Sequence, residues 1–570
     1  MGIVNDYINK IIKKVNDIKF NKDKPWLKYY DRMPEHIEYF NGSMYDLVAE
    51  TARTYPNNYA YEYFDTTKKY KNFIESIDKI AIALKQIDVI ENECVTICMP
   101  NMPESIELVY AINKIGAIAN VIHPLSSIDE IKRAMDECNS TTLFTTDASY
   151  EKIKDLKVKD LIVVEVSNSF PELLKLLYNI KNSKNMHYQD NVTRWSDFMK
   201  IESYNIDTHV NRGKDAPAVI IYSGGTTGKS KGIILSNLCF NSIGQQCKVI
   251  CPEARSGNSI LSALPIFHGF GLCVCVHAPL VLGMKCILIP KIEVHKLAKI
   301  IKKKEPTLLP VIPTMLGILM KNYCGPKDLK SVQVILSGGD YLPPEMHKEI
   351  EDFFKEHGST AHIQIGYGLS EATAFVSATN TSIRETGNIG VPNPDNIIKI
   401  FEPYTDVEKE YGEIGEICIN GPSVMLGYIN EDKETENILK MHYDKKMWLH
   451  TGDLGYMDKD GIIHYSSRLK RMIISNGYNI YPLELEEIIN KHKYVDSSVV
   501  VGIKDPIKFE VPKAVIVLKK DIEPTKEVMK EIKDYCKLKI AKYAQPKEFE
   551  FRESLPLTKI GKIDYKKFVK

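Results

Sequence analysis

The 570-residue sequence has almost no charge of one sign to spare, with 75 Lys and Arg against 74 Asp and Glu. A nucleic-acid binder usually shows a basic domain or stripe, so no nucleic-acid partner is expected. A cysteine grammar is lacking too. Twelve cysteines are scattered along the chain. None of the close pairs Cys94/Cys98, Cys247/Cys251 and Cys273/Cys275 is C-x-x-C, and none has a second pair at zinc-finger spacing. Reduced thiols in a cytoplasmic protein are the simpler reading. Long apolar runs are missing: the nearest, CVCVHAPLVLGMKCILIP at 273–290, is interrupted by His277, Pro279 and Lys285. A membrane-spanning helix is therefore not expected. The opening MGIVNDYINKIIKKVNDIKF lacks the apolar core and small-residue cleavage site of a signal peptide. Asp6 stands where a myristoylation signal wants Ser or Thr. No internal repeat or low-complexity segment is found.

What is there is ordinary globular composition, 44% apolar and 26% charged, in a chain long enough for several folding units. The first twenty residues carry Ile8, Ile11, Ile12, Val15 and Ile18 at helical spacing, with Lys10, Lys13, Lys14 and Lys19 elsewhere. Such a helix docks on its own domain or lies on a membrane surface, and both readings stand. From about 75 to 150, strand-like runs (ECVTICMP, AIANVIHP, TTLFTT) alternate with helical patterns, and LIVVEV continues the series. A second series runs from APAVIIYSGG through ILSALP, KCILIP, TLLPVIPT and VQVILSGG. Alternation of this kind predicts parallel sheets with helices on both faces. Near 385 the texture turns to short segments, NIIKIF and GEICING, that suggest a small antiparallel β unit. From about 470 an α+β unit of roughly 100 residues follows, near the usual domain size.

The stretch SGGTTGKSKG (223–232) leaves a strand end. Its Gly228, Lys229 and Ser230 fit the tail of a Walker loop, but Ser223 occupies the leading glycine position. Glycines let backbone N–H groups close on phosphate oxygens, and Lys229 and Lys231 add positive charge. A surface hairpin has similar composition. Downstream come LPIFHGFG (264–271), SGGDYLP (337–343), GYGLSEAT (366–373), TGDLGYMDKDGIIHYSSRLKRMIISNGYNIYPLELE (451–486) and PLTKIGKIDYKKF (556–568).

This ordered series resembles the adenylate-forming superfamily of acyl-CoA synthetases, luciferases and peptide-synthetase adenylation domains, from about residue 40 onward. The resemblance implies a large α/β N-terminal domain (1–469) of two doubly wound subdomains plus a small β-barrel (about 385–469). It implies a mobile α+β C-terminal domain (470–570). It also implies activation of a carboxylic acid by ATP and Mg²⁺ to acyl-AMP, then transfer to coenzyme A. By the same match, Ser223, Gly224, Gly225, Thr226, Thr227, Gly228 and Lys231 grip the phosphates. Glu371 associates with Mg²⁺, and Ser370, standing for the usual Thr, contacts the α-phosphate. Gly366 and Tyr367 flank the adenine and the acyl carboxyl. Asp453 takes the ribose hydroxyls with help from Arg468. His268, Ser337, Gly338 and Gly366 line the acyl site, although a core histidine bonded to backbone would explain His268 equally. Lys562 corresponds to the catalytic lysine, Lys470 to the hinge, and Gly477 to the wall of the pantetheine tunnel. The chain reads SSR where Gly more often precedes the arginine.

The N-terminal PWLKYYDRMPEHIEYF resembles the entry segment of long-chain fatty-acyl synthetases, which implies a medium- or long-chain fatty acid as substrate. The rival readings are an acyl-AMP ligase that loads a carrier protein in trans, an aryl- or steroid-acid ligase, and a non-catalytic nucleotide sensor on the same fold.

Overall fold

The computed structural model describes residues 24–31, 33–182, 188–189, 192–202, 206–223, 230–322, 324–475, 478–505, 508–558 and 563–568. Among them, four sheets form. The predicted runs become strands almost in place: Cys94–Cys98, Ile118–Val121, Thr142–Thr146, Asp160–Val164 and Pro217–Tyr222 are the central strands of an eight-stranded sheet. These five pair in parallel. Parallel strands covered on both faces read as near-continuous apolar runs, which is why they were visible. Ser259–Ser262, Lys285–Leu288, Leu308–Val311, Val334–Gly338 and His362–Tyr367 form the parallel heart of a nine-stranded sheet. The helices Pro103–Lys114, with Pro in its first turn, and Asn237–Ile250, capped by the Ser236 hydroxyl, pack between the sheets in one large core.

The small β unit is antiparallel: Ile397–Phe401, Gly415–Asn420, Met447–Met457 and Ile463–Arg468 pair in sequence around a separate core. Beyond it, Ile473–Ser475, Val495–Asp505 and Phe509–Leu518 join a fourth sheet with the helices Pro482–Asn490 and Lys526–Lys539 on a core of their own. The architecture is a large N-terminal α/β domain followed by a smaller C-terminal one.

The apolar 273–290 segment does not form one long helix. Phe270–His277 is a π-helix, the wider turn showing where the Ala278 N–H reaches back five residues to Cys273 O. A short α-helix to Val281 and the strand Lys285–Leu288 follow. No described helix is long and apolar enough to cross a membrane. All twelve cysteines are free thiols.

Candidate active site

The SGGTTGKSKG stretch joins two antiparallel strands, Pro217–Tyr222 and Gly232–Ser236. A Walker loop runs from strand into helix; here a strand follows, so the arrangement is a hairpin. Its ends are clamped. Ser223 N–H donates to Lys231 O at 3.0 Å, Lys231 N–H to Ser223 Oγ at 3.2 Å, and Ser230 Oγ–H to Ser223 O at 2.5 Å. Gly224, Gly225, Thr226, Thr227 and Gly228 lie outside the described residues, as do Gly477, Lys562 and the N-terminal stripe.

Lys231 pairs with Glu434 and sits 4.9 Å over the Tyr428 ring. The Tyr428 hydroxyl donates to Glu371 Oε1 at 2.8 Å. Tyr428 reaches this place because Gly427–Tyr428 adds a short strand to the edge strand Gly232–Ser236. The clamp and Glu371 thus share one neighbour, which no motif indicated.

Glu371 lies in the single turn Ser370–Ala372, and the chain then takes two left-handed residues, Thr373 (φ 53°) and Ala374 (φ 74°). Two such non-glycine residues in succession are costly, and conformations of this kind gather at ligand sites. Thr373 secures the turn by donating to Ser423 O at 2.8 Å, and Ala374 N–H returns to Leu369 O at 2.9 Å.

Asp453 is 2% exposed and is held three ways. Tyr367 Oη donates to its Oδ2 at 2.7 Å, Arg468 Nε pairs with Oδ1 at 2.9 Å, and its own N–H donates to Thr451 Oγ1 at 3.0 Å. Strand register explains the arginine: Asp453 and Arg468 are cross-strand partners. Burial and the Asp453 carboxylate raise the Tyr367 phenol well above its ordinary range, so it stays protonated and donates.

The turn before Asp453 rests on residues that the sequence did not single out. Gly452 takes φ +69°, and its N–H donates to Glu416 Oε1 at 2.9 Å. Glu416 Oε2 takes the His450 Nδ1 bond at 2.8 Å, and His450 Nε2 meets His442 Nε2 at 2.9 Å. Glu416, Cys418 and His450 have metal-ligating atoms within 4.8 Å of one another. Glu416 and His450 spend theirs on these bonds, so the cluster reads as a brace.

Behind Tyr367 lies an apolar cavity of about 640 Å³, its open mouth included. Phe270, Val274, Ala278 and Leu282 of the π-helical segment form one wall; Cys251, Ile260, Leu308 and Met284 continue it. Ser337, Gly338 and Gly366 line it near Phe375. Gly338 and Gly366 are register partners on adjacent strands. A Cβ on Gly366 would stand 2.9 Å from Phe375, and one on Gly338 3.2 Å from Phe270. Glycine at both positions keeps this space open. None of the described lining residues is charged, and Gln364 spends its amide on Thr379 O at 3.0 Å and Ile250 O at 3.4 Å.

His268 is half-buried, tilted against Phe267 with ring centres 4.8 Å apart, and is not part of the cavity lining. The adjoining Gly269 packs on Ala374, so His268 borders the Glu371 turn instead. The buried core histidine of this region is His277, held between the Tyr110 hydroxyl and Asn241 Oδ1, each at 3.1 Å.

Lys470 occupies a single exposed turn, Leu469–Arg471. On one side Arg468 holds the β unit through Asp453. On the other, Arg471 Nη2 pairs with Glu486 at 2.6 Å and its guanidinium covers the Tyr565 ring at 3.7 Å.

Family models of the AMP-binding enzyme and of its C-terminal domain match residues 48–429 and 484–562. The chain belongs to the AMP-binding enzyme family. Its relatives place it among the AMP-forming CoA ligases of that family. It is 30% identical to the long-chain-fatty-acid–CoA ligase of Bacillus subtilis over 95% of this chain and 96% of that one. It is also 30% identical to a probable 4-coumarate–CoA ligase of Dictyostelium discoideum, over 87% and 89%. Among solved structures, an anthranilate CoA ligase in complex with anthranoyl-AMP superposes with a TM-score of 0.79 at 22% identity, covering 95% of this chain and 98% of that one. ATP-bound MatB from Rhodopseudomonas palustris gives 0.79 at 21%, over 93% and 98%. These two likenesses establish the fold.

Proposed function

We propose that the protein joins a medium- or long-chain fatty acid to AMP and then transfers the acyl group to coenzyme A, releasing AMP and pyrophosphate. The observation that carries this reading is the uncharged, apolar cavity lined by the Gly338–Gly366 pair, Gly366 preceding Tyr367 of the Tyr367–Asp453–Arg468 cluster. A hydrocarbon chain satisfies such walls. A second carboxylate would meet no cation there, and the Gln364 amide nitrogen is already bonded to backbone carbonyls.

The residues take complementary roles. Asp453 accepts from the ribose hydroxyls, and Arg468 and the Tyr367 phenol hold its carboxylate in place. The hairpin that begins at Ser223 and ends at Lys231 closes on the outer phosphates, with Gly224, Gly225, Thr226, Thr227 and Gly228 supplying N–H and hydroxyl donors. Ser370 offers a hydroxyl to the α-phosphate. Glu371 fits Mg²⁺, because hard cations in nucleotide sites take one or two carboxylate oxygens and fill the rest with phosphate and water. When bound, the ion neutralises the charge leaving with pyrophosphate. Lys562 brings an ammonium group to the reacting carboxylate. The N-terminal domain then runs to 469 and the C-terminal domain from 470, with Lys470 as the pivot and Gly477 on the pantetheine path.

Incubation with ATP, Mg²⁺, coenzyme A and a panel of carboxylic acids, read by mass spectrometry of the thioester, tests this. The expected optimum is a saturated chain of medium or long length. An optimum on a hydroxylated aryl acid or a dicarboxylate overturns the substrate. Thioester on a phosphopantetheine carrier but none on free coenzyme A overturns the acceptor.

A further inference from the structure

Lys231, at the closing end of the 223–232 hairpin, is already taken. Its ammonium group pairs with Glu434 and lies 4.9 Å over the Tyr428 ring. Both partners come from one segment that no motif singled out. Gly427–Tyr428 lies antiparallel on Gly232–Ser236, with Tyr428 opposite Ile233, and Ile429 N–H donates to Gly232 O at 2.8 Å. The short helix Asp432–Ile438 follows and carries Glu434. Thr435 joins strand to helix: its hydroxyl accepts from Tyr428 N–H at 2.9 Å and donates to Glu431 O at 3.0 Å. Strand register thus sets the carboxylate against a lysine 203 residues away in the chain.

This pairing is built for exchange. Lys231 holds the Glu434 carboxyl below the ordinary carboxylate range, and Lys470 adds to the effect from the turn Leu469–Arg471. The Glu434 side chain is 45% exposed, so letting go of Lys231 leaves no buried unpaired charge. Tyr428 keeps the ammonium group in place meanwhile, since the face of an aromatic ring attracts a cation. The Tyr428 hydroxyl is bonded to Glu371 Oε1 at 2.8 Å, so a lysine released by Glu434 stays beside the carboxylate that fits Mg²⁺. An ammonium group offers three donors on one point charge. Sharing it would press the carboxylate against an incoming triphosphate, so the two anions compete. On the phosphate role proposed above for Lys231, we infer that Glu434 is a positioning residue: it holds Lys231 in the nucleotide-free protein, yields it to the triphosphate and reclaims it as pyrophosphate leaves. Its carboxylate weakens the binding of ATP and of pyrophosphate together.

The test is calorimetric titration of the full chain with ATP and Mg²⁺ and, separately, with pyrophosphate and Mg²⁺. No carboxylic acid or coenzyme A is present, so binding is read without turnover. Exposed ion pairs are worth little, so Glu434→Gln is expected to tighten both ligands by ~2–5-fold, and by less at about 0.5 M salt. Lys231→Gln is expected to weaken both by ~10-fold or more, because a charge-assisted phosphate contact is lost. In the Lys231→Gln background Glu434→Gln should add nothing, the mark of one residue acting through the other. A merely structural role for Glu434 would lower the melting temperature without tightening either ligand, and would overturn the inference. Weaker binding by Glu434→Gln overturns it too, as does a gain that persists without Lys231. Each of these results leaves the phosphate role of Lys231 standing, provided Lys231→Gln alone weakens binding. Unchanged binding by Lys231→Gln instead removes that role, and the inference falls with it.

Discussion

Asp453 owes its aim to Glu416, a buried carboxylate on the neighbouring strand that accepts from both Gly452 N–H and His450. Glu416 touches neither nucleotide nor acid in the proposed site, so it is a positioning residue. Glu416→Leu leaves two buried donors without acceptors, at about 1–3 kcal/mol each. The expected outcome is a rise of about ten-fold in the KM for ATP with a smaller change in kcat, and Glu416→Gln should recover most of it by restoring the Gly452 bond. A lower melting temperature with unchanged KM would reduce Glu416 to a structural role. His277 makes a separate, pH-dependent contribution. Burial pushes it down to about 3, against a free value near 6.5, so the folded chain keeps it neutral where the unfolded chain takes up a proton. Its contribution is complete above about pH 6.5 and is lost as pH falls toward 3, at up to about 1.4 kcal/mol per pH unit. His277→Gln should therefore flatten the fall of unfolding free energy between about pH 6 and 4.5, measured by denaturant titration at each pH. An unchanged slope would assign that fall to other groups.

Elements carry the next layer of behaviour, and the turn Leu469–Arg471 is the clearest case. Arg468 fastens its near side to Asp453 and Arg471 its far side to Glu486, and in the proposed function the turn around Lys470 between them absorbs the rotation of the domains. Proline fixes φ near −65°. Lys470→Pro is expected to slow thioester formation from preformed acyl-AMP by ~10-fold or more while changing adenylate formation less, the pattern of a locked pivot; unchanged overall turnover would remove the turn from the mechanism. Sequence was a good guide to elements where one physical signal dominated. Apolar runs bounded by Gly or Pro marked the parallel strands, and TGD and GYGLSEAT drew attention to Asp453 and Glu371, which the structure sets in a buried ion-pair cluster and beside two left-handed residues. It was a poor guide where strand register decides the contact. Glu416 and Tyr428 lie far along the chain from Gly452 and Glu371, and a one-residue slip would turn each to the opposite face. His268 was read from its motif as acyl wall or core histidine, and the structure sets its half-buried ring against Phe267.

At the scale of the whole molecule, the described contacts from the C-terminal unit to the large domain include exposed polar pairs. Tyr341 donates to Glu487, Lys491 pairs with Glu345 at 3.6 Å, and Lys321 pairs with Asp496 at 3.5 Å. The two ion pairs are exposed, and pairs of that kind contribute ~0–1 kcal/mol. An interface built this way permits large rotations at little cost. It suits the proposed function, in which one small domain presents different faces to two successive reactions. The first reaction needs a cation where charge develops between carboxylate and α-phosphate. The second needs a thiol path to the same carbonyl carbon, and no cation at the place the first one used. In the proposed function Lys562 belongs to the C-terminal domain, so a single rotation would deliver it for the first step and withdraw it for the second. Removing a preorganised charge of this sort costs ~10²–10³ in rate. Lys562→Ala is therefore expected to lose that factor in acyl-dependent pyrophosphate exchange while forming thioester from supplied acyl-AMP within a few-fold of wild type. The two half-reactions have to be measured on the same preparation, because an unfolded C-terminal domain would depress both. Equal loss in the two would mean that Lys562 supports the domain as a whole, and the division of labour between the lobes would have to be drawn elsewhere.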